Sequence, residues 1–136
     1  AHYIGKLEEM GAVCRMDLQI GDEALPHMEL CQILSNELEN ACDALQGLPA
    51  DRREVSVLMK YNRVYLLMRI KNRCRDDLYV ERGTIPPTNK KEHGHGFGLV
   101  TVREAAERLG GDMACYAENG SFVLEVMIPV SSFQGA

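Results

Sequence analysis

The chain has 136 residues, of which 46% are hydrophobic and 26% charged, and its formal net charge is −5 at pH 7. These values are typical of one globular domain, and the negative charge argues against binding to nucleic acid. The cysteines are odd in number and form no CxxC pair, which argues against a disulfide framework or a structural zinc site and favours a reducing compartment; they are Cys14, Cys31, Cys42, Cys74 and Cys115.

The first half of the chain predicts a helix end, a strand, a long helix and a hairpin. We assign residues 1–11 to the end of a connecting helix or linker from a longer protein. Alternation in VCRMDLQI predicts a half-buried strand. Leucines at helical spacing in MELCQILSNELENACDALQ, followed by Gly47 and Pro49, predict an amphipathic helix. Residues 55–59 and 64–70 alternate on either side of a turn, which predicts an antiparallel hairpin.

The second half predicts a long loop, a helix and a second hairpin. Residues 73–95 have no periodicity, as in loops that are functional or disordered. LVTVREAAERL, closed by two glycines, predicts a helix, and Asn119-Gly120 predicts a hairpin between the last two strands. No apolar run of about 18 residues and no leader sequence is present, so we expect no direct membrane contact from this chain.

One side of the long helix is polar but carries no lysine or arginine. The residues of this polar stripe are Glu29, Gln32, Asn36, Glu39, Asn40 and Asp43. The stripe is consistent with an ordinary solvated face, and equally with an oxygen-rich wall for Mg²⁺, which takes amide and carboxylate oxygens.

Glycines occupy every second position in HGHGFGL, directly before the predicted second helix. Backbone N–H groups of Gly94, Gly96 and Gly98 at a helix N-terminus are suited to binding a phosphate. A tight turn or a hinge is the alternative. The spacing fits neither the dinucleotide GxGxxG pattern nor a Walker loop.

These motifs, in this order, resemble the histidine-kinase-like ATPases of the GHKL superfamily. ILSNELENACDAL resembles the N box, which implies that Asn40 coordinates Mg²⁺, with Asn36 supporting it and Asp43 also in the ATP site. GHGFGL resembles the G2 box, which implies that its three glycines, Phe97 and Leu99 line the ATP site and that residues 73–95 form an ATP lid. Within the superfamily the resemblance is closest to sensor kinases of peptide-pheromone quorum sensing.

The resemblance also implies where the adenine and the lid cations lie. The family's DxGxG motif is missing, and Asn72 stands at the matching strand end, where its carbonyl can accept a hydrogen bond from adenine. Lys90 and Lys91 are the expected lid cations, with an exposed basic loop as the alternative.

Cys74, between Arg73 and Arg75, is either a reactive lid thiol or an incidental exposed cysteine.

The resemblance implies a Bergerat fold: an α/β (α+β) two-layer sandwich with a mixed, mostly antiparallel sheet and helices on one face. Residues 12–130 would form this domain and residues 131–136 a tail. Relatives that hydrolyse ATP or phosphorylate serine have a glutamate where this chain has Asn36, and a neutral histidine needs no strong base. We therefore assign catalytic roles to Asn36 and Asn40.

The function that the resemblance implies is the catalytic and ATP-binding domain of a two-component sensor histidine kinase in signal transduction. Its partners would be a histidine-bearing dimerisation domain of the same parent and a cytosolic response regulator. The parent would be an integral membrane protein, with this domain in the cytoplasm. The alternatives are a degenerate scaffold without catalysis and an anti-sigma-like serine kinase or ATP hydrolase.

Overall fold

A five-stranded sheet lies at the centre of the computed structural model, which describes residues 2–21, 25–82 and 95–132. In chain order the main elements are α1 (His2–Glu9), β1 (Val13–Gln19), α2 (His27–Gln46), β2 (Glu54–Tyr61), β3 (Tyr65–Arg73), α3 (His95–Arg108), β4 (Asp112–Glu118) and β5 (Ser121–Pro129). Short 3-10 helices, Ala50–Arg52 and Val130–Ser132, precede β2 and follow β5. None of the described helices is long and apolar enough to cross a membrane.

The sheet is mixed and mostly antiparallel, as predicted. Its strand order is β1-β2-β3-β5-β4, and only β1 and β2 are parallel. The register aligns Val57, Ile70, Leu124 and Cys115 across four strands, and all four side chains are buried. Since successive residues of a strand point to opposite faces, this row identifies the face that the helices cover. The predicted α/β architecture is confirmed.

Helices α1 and α2 supply the other half of the core. α2 buries Leu30, Ile33, Ala41 and Leu45, and two further leucines of the predicted face, Leu34 and Leu38, are partly buried. α1 contacts α2 and β1, and its Leu7 is fully buried. Part of the segment assigned to a connecting helix therefore packs into this core. The boundary at residue 12 stays a prediction.

β1 is more exposed than the predicted half-buried strand. Met16 and Leu18 are aligned with buried Val57 and Met59 of β2, yet they are 53% and 50% exposed. β1 is the edge strand of the sheet, and the described helices cover it only in part. The alternation was read correctly, but whether a strand is covered depends on its neighbours rather than on its own sequence.

The start of the second hairpin strand and the start of α3 also differ from expectation. Val64 lies in the turn and not in β3, because Asn62 Oδ1 accepts hydrogen bonds from the backbone N–H groups of Val64 and Tyr65 at 2.7 and 2.8 Å. α3 begins at His95 rather than at Leu99, so its first turn includes glycines that the sequence placed before the helix.

The beginning of the predicted long loop packs onto the sheet. The Cys74 N–H donates to the carbonyl of Gly120 at 3.0 Å, and Val80 forms a bridge with Ala117. Cys74 is buried, and burial raises the pKa of its thiol. It is therefore neither an exposed cysteine nor an activated thiol, despite its arginine neighbours. Residues 83–94 of the proposed lid lie outside the described residues.

The opposite face of the sheet carries an ion-pair cluster. Glu125 on β5 binds Arg69 on β3 at 2.7 Å, and Arg82 binds the same carboxylate. The sheet separates this cluster from the helical layer, so the cluster lies on the far side of the domain from α2 and α3.

Replacement of Gly111 by alanine tests the junction between α3 and β4. An added Cβ would collide with the backbone oxygen of Met127 and lie 3.1 Å from Ile128 Cα, so we expect a loss of about 2 kcal/mol or more in unfolding free energy. Gly5→Ala is the matched control: nothing lies within 4 Å of its added Cβ, and the higher helix propensity of alanine should stabilise α1. Chemical denaturation measures the change in unfolding free energy of each variant relative to wild type. Equal changes in the two variants would contradict this packing.

Candidate functional site

Helices α2 and α3 lie side by side and run in opposite directions. Near the start of α2, Gln32 Oε1 accepts a hydrogen bond from the Arg108 guanidinium at the end of α3, at 2.7 Å. Further along α2, Asn40 lies against Gly98 in the first turn of α3. Both α2 residues belong to the polar stripe. The stripe therefore meets α3 at two points and is not simply a solvated face.

The contact between Asn40 and Gly98 joins the two motifs that the sequence singled out. A Cβ added to Gly98 would lie 3.4 Å from Asn40 Nδ2 and 3.5 Å from Asn40 Oδ1. An added Cβ would therefore be in ordinary contact with the amide, and glycine leaves this space beside the amide open. The N-terminal turn of a helix has unpaired N–H groups and partial positive charge. An amide oxygen and a phosphate-suited helix end are thus brought together.

The Asn40 side chain uses one end of its amide and leaves the other available. Its Nδ2 donates to Glu37 Oε2 at 3.5 Å within α2. Within the described residues, Oδ1 accepts no hydrogen bond, and the residue is only half-buried. A neutral oxygen acceptor of this kind is a suitable ligand for Mg²⁺.

The other predicted residues of α2, Asn36 and Asp43, lie on the same helix as Asn40. Asn36 is half-buried, and its Nδ2 donates to the backbone oxygen of Gln32 at 2.9 Å. Its amide is therefore held by its own helix. Asp43 is half-buried closer to the end of α2. Their roles in catalysis and ATP binding stay predictions.

Asn72 is a buried amide near the end of β3. It is 2% exposed, lies on the helix-covered face between Val55 and Phe122, and donates from Nδ2 to the backbone oxygen of Arg73 at 2.9 Å. This hydrogen bond fixes one end of the amide and makes Oδ1 the acceptor end. The position is compatible with the predicted contact to adenine, which stays a prediction.

The predicted G2-box residues and lid cations divide into four groups. Gly98 contacts Asn40, as described above. Leu99 is buried in the core, and its predicted place in the ATP site stays a prediction. Gly96 and Phe97 belong to the first turn of α3 through their backbone. Lys90, Lys91 and Gly94 lie outside the described residues.

Comparison with known proteins identifies the family. Residues 25–129 match the GHKL domain family. The chain belongs to this family. Its fold is similar to two solved histidine kinases: the catalytic domain of ThkA, with TM-score 0.74, 18% identity and coverage of 94% of this chain and 85% of that one, and AdeS of Acinetobacter baumannii, with TM-score 0.67, 12% identity and coverage of 94% and 59%.

This GHKL domain spans about three fifths of the AdeS chain to which it is similar. At these identities the structural matches establish the fold alone. No curated protein matches the chain. The domain is therefore a GHKL ATPase domain whose fold is that of histidine kinase catalytic domains.

The structure also reveals a residue of this GHKL domain that our sequence analysis missed. Glu37 is fully buried, and its Oε1 has no hydrogen-bond partner in the described part of the chain. Burial raises the pKa of its carboxyl to about 8, although the hydrogen bond from Asn40 opposes the shift. The spacing from Ile33 to Glu37 to Ala41 placed it on the apolar face of α2, and this was the signal available in the sequence.

The raised pKa of Glu37 predicts how stability depends on pH. Between the pKa of an exposed glutamate, about 4.3, and its folded value of about 8, the folded state binds one more proton than the unfolded state. Unfolding free energy should therefore fall as pH rises through this window, by about 1.4 kcal/mol per pH unit from this group.

Glu37→Gln removes this proton and keeps the shape of the side chain. Its stability relative to wild type should increase steadily from pH 5 to pH 8, as measured by urea denaturation of the ligand-free domain. A constant difference between the two proteins across this range would contradict the raised pKa.

Proposed function

We propose that this GHKL domain binds Mg-ATP and transfers the γ-phosphoryl group to a histidine on a separate dimerisation domain, as the catalytic domain of a two-component sensor histidine kinase. The observation that carries the proposal is the contact between the Asn40 amide and Gly98. It brings a free amide oxygen, suited to a metal ion, to a helix N-terminus suited to phosphate.

The residues present would suit a magnesium ion bound together with a nucleotide. Asn40 Oδ1 would be the protein ligand, and water and phosphate oxygens would complete the shell, as is usual for Mg²⁺. When bound, the ion would neutralise charge that develops during phosphoryl transfer. The backbone of the first turn of α3 would bind phosphate, Asn72 would accept from adenine, and Lys90 and Lys91 would approach the phosphates from the lid.

The chemistry around Asn40 supports histidine as the acceptor. Asn36, one turn earlier on α2, has an amide whose Nδ2 is held by the helix backbone, so it offers no general base. Glu37 is a carboxyl group, but it is fully buried and therefore cannot contact a water or a hydroxyl substrate. A neutral histidine is a nucleophile without such a base. The amide at Asn36 and the burial of Glu37 therefore favour a histidine kinase over an ATP hydrolase or a serine kinase.

The wider biological setting is also a proposal. The resemblance of the N box and G2 box supports a parent that is a sensor kinase of the peptide-pheromone quorum-sensing kind. Its partners would then be the dimerisation domain of its own parent and a cytosolic response regulator. The parent would be a membrane protein, with this domain on the cytoplasmic side.

Calorimetric titration of Mg-ATP into three variants tests the site. Asn40→Ala removes the metal ligand and should weaken Mg-ATP binding about tenfold or more, while changing binding of ATP in EDTA little. Gly98→Ala should preserve folding, because its added Cβ is at ordinary contact distance from the amide, but should weaken binding by filling the space beside Asn40. The control is Asp51→Ala, an exposed acidic residue outside the polar stripe, which should bind like wild type.

Two results would argue against this function. If the wild-type domain does not bind ATP at millimolar concentration, the degenerate scaffold replaces the kinase as the best account. If it binds but Asn40→Ala retains full Mg²⁺ dependence, the metal ligand lies elsewhere.

A further inference from the structure

Glu37 is an unusual residue for the interior of α2. It lies on the apolar face between Ile33 and Ala41, and its side chain is fully buried. One oxygen, Oε1, has no hydrogen-bond partner within the described residues. A buried polar atom without a partner destabilises a fold. Packing alone would favour an apolar side chain of the same length, so the carboxyl calls for another explanation.

Within the described part of the chain, the Glu37 side chain accepts a hydrogen bond from the amide of Asn40. Asn40 Nδ2 donates to Glu37 Oε2 at 3.5 Å, and the end of the amide that carries Nδ2 and Oδ1 also faces Gly98. An asparagine amide can rotate by half a turn about χ2, which exchanges its donor and acceptor ends. A cation requires the oxygen end. With Nδ2 held by Glu37, the oxygen end is the one left for a ligand.

We propose that Glu37 is a positioning residue, which holds the Asn40 amide in the orientation that presents Oδ1 to a divalent cation. The inference rests on the proposed function for its ligand, but the orientation itself is a property of the ligand-free domain. Glu37 does not contact the ion or the nucleotide; it acts only through Asn40.

A positioning role and a purely structural role predict different effects of replacing Glu37 on stability and on ATP binding. A residue that only stabilised the core would, when replaced, lower stability and weaken ATP binding with and without metal. A positioning residue kept despite its unpaired oxygen would, when replaced by an apolar side chain, leave stability unchanged or raised. Only the part of ATP binding that depends on Mg²⁺ would weaken.

Three variants test the inference. Glu37→Met keeps the length of the side chain and removes the acceptor. Glu37→Gln keeps a carbonyl acceptor for Asn40 Nδ2. Ile33→Val, at a buried position one turn earlier on α2, weakens packing without touching the amide. For each we would measure the thermal unfolding midpoint and the ratio of ATP affinity in Mg²⁺ to that in EDTA.

We expect the thermal unfolding midpoint of Glu37→Met to be no lower than that of wild type. The ratio of its ATP affinity in Mg²⁺ to that in EDTA should be about fivefold smaller, as expected for the loss of one hydrogen bond. Glu37→Gln should keep the wild-type ratio. Ile33→Val should unfold earlier and also keep it. The inference is overturned if Glu37→Met keeps the full ratio, or if it unfolds earlier and weakens binding equally in Mg²⁺ and EDTA.

A measurement without nucleotide separates this inference from the proposed function. In the ligand-free domain, the side-chain amide protons of Asn40, assigned by their loss in Asn40→Ala, should exchange with solvent more slowly than those of exposed Asn62. The protection should persist in Glu37→Gln and disappear in Glu37→Met. Equal exchange of the Asn40 and Asn62 amides in wild type would overturn the positioning role, whether or not the domain binds ATP and whether or not Glu37→Met folds.

Discussion

The close approach of α2 and α3 at Asn40 and Gly98 is the contact on which the candidate site depends. α2 packs its leucine face onto the sheet, which turns the polar stripe sideways toward α3. The hydrogen bond between Arg108 and Gln32 ties the far ends of the two helices together. The Asn40 amide thereby lies beside Gly98 in the first turn of α3, where the missing side chain leaves space for a ligand. A helix placed further away would leave the amide and the helix N-terminus as separate, unremarkable features.

Buried polar groups mark the same part of the molecule. Among the described residues, the side chains classed as buried and polar or charged are Glu37 and Asn72. The first holds the Asn40 amide, and the second is an amide at the end of β3 to which we assign the adenine contact. Burial of polar groups is costly, so their presence on the inner face of the helices and sheet is better explained by ligand recognition than by stability. The rest of the inner face is apolar.

The sequence predicted the elements well because each carries a local signal. Alternation identified the strands, leucine spacing identified α2, and Asn119-Gly120 gave the last hairpin, in which Asn119 has a positive φ of 54°. The exposure of β1 was not predictable, because it depends on helices distant in sequence. The start of α3 at His95 was missed because glycines are poor helix formers. Asn40 and Gly98 were found as motif residues, but their contact is a product of the fold. Glu37 was overlooked, although its spacing from Ile33 and Ala41 puts it on the apolar face of α2.

The most direct test of the account is to locate the metal on the folded domain. With ATP present, Mn²⁺ in place of Mg²⁺ should broaden the NMR signals of the Asn40 side chain and the Gly98 backbone amide. The signals of Arg69 and Glu125, which form an ion pair on the opposite face of the sheet, should stay sharp. Broadening centred on the Arg69 face, or spread evenly over the domain, would contradict a nucleotide site between α2 and α3.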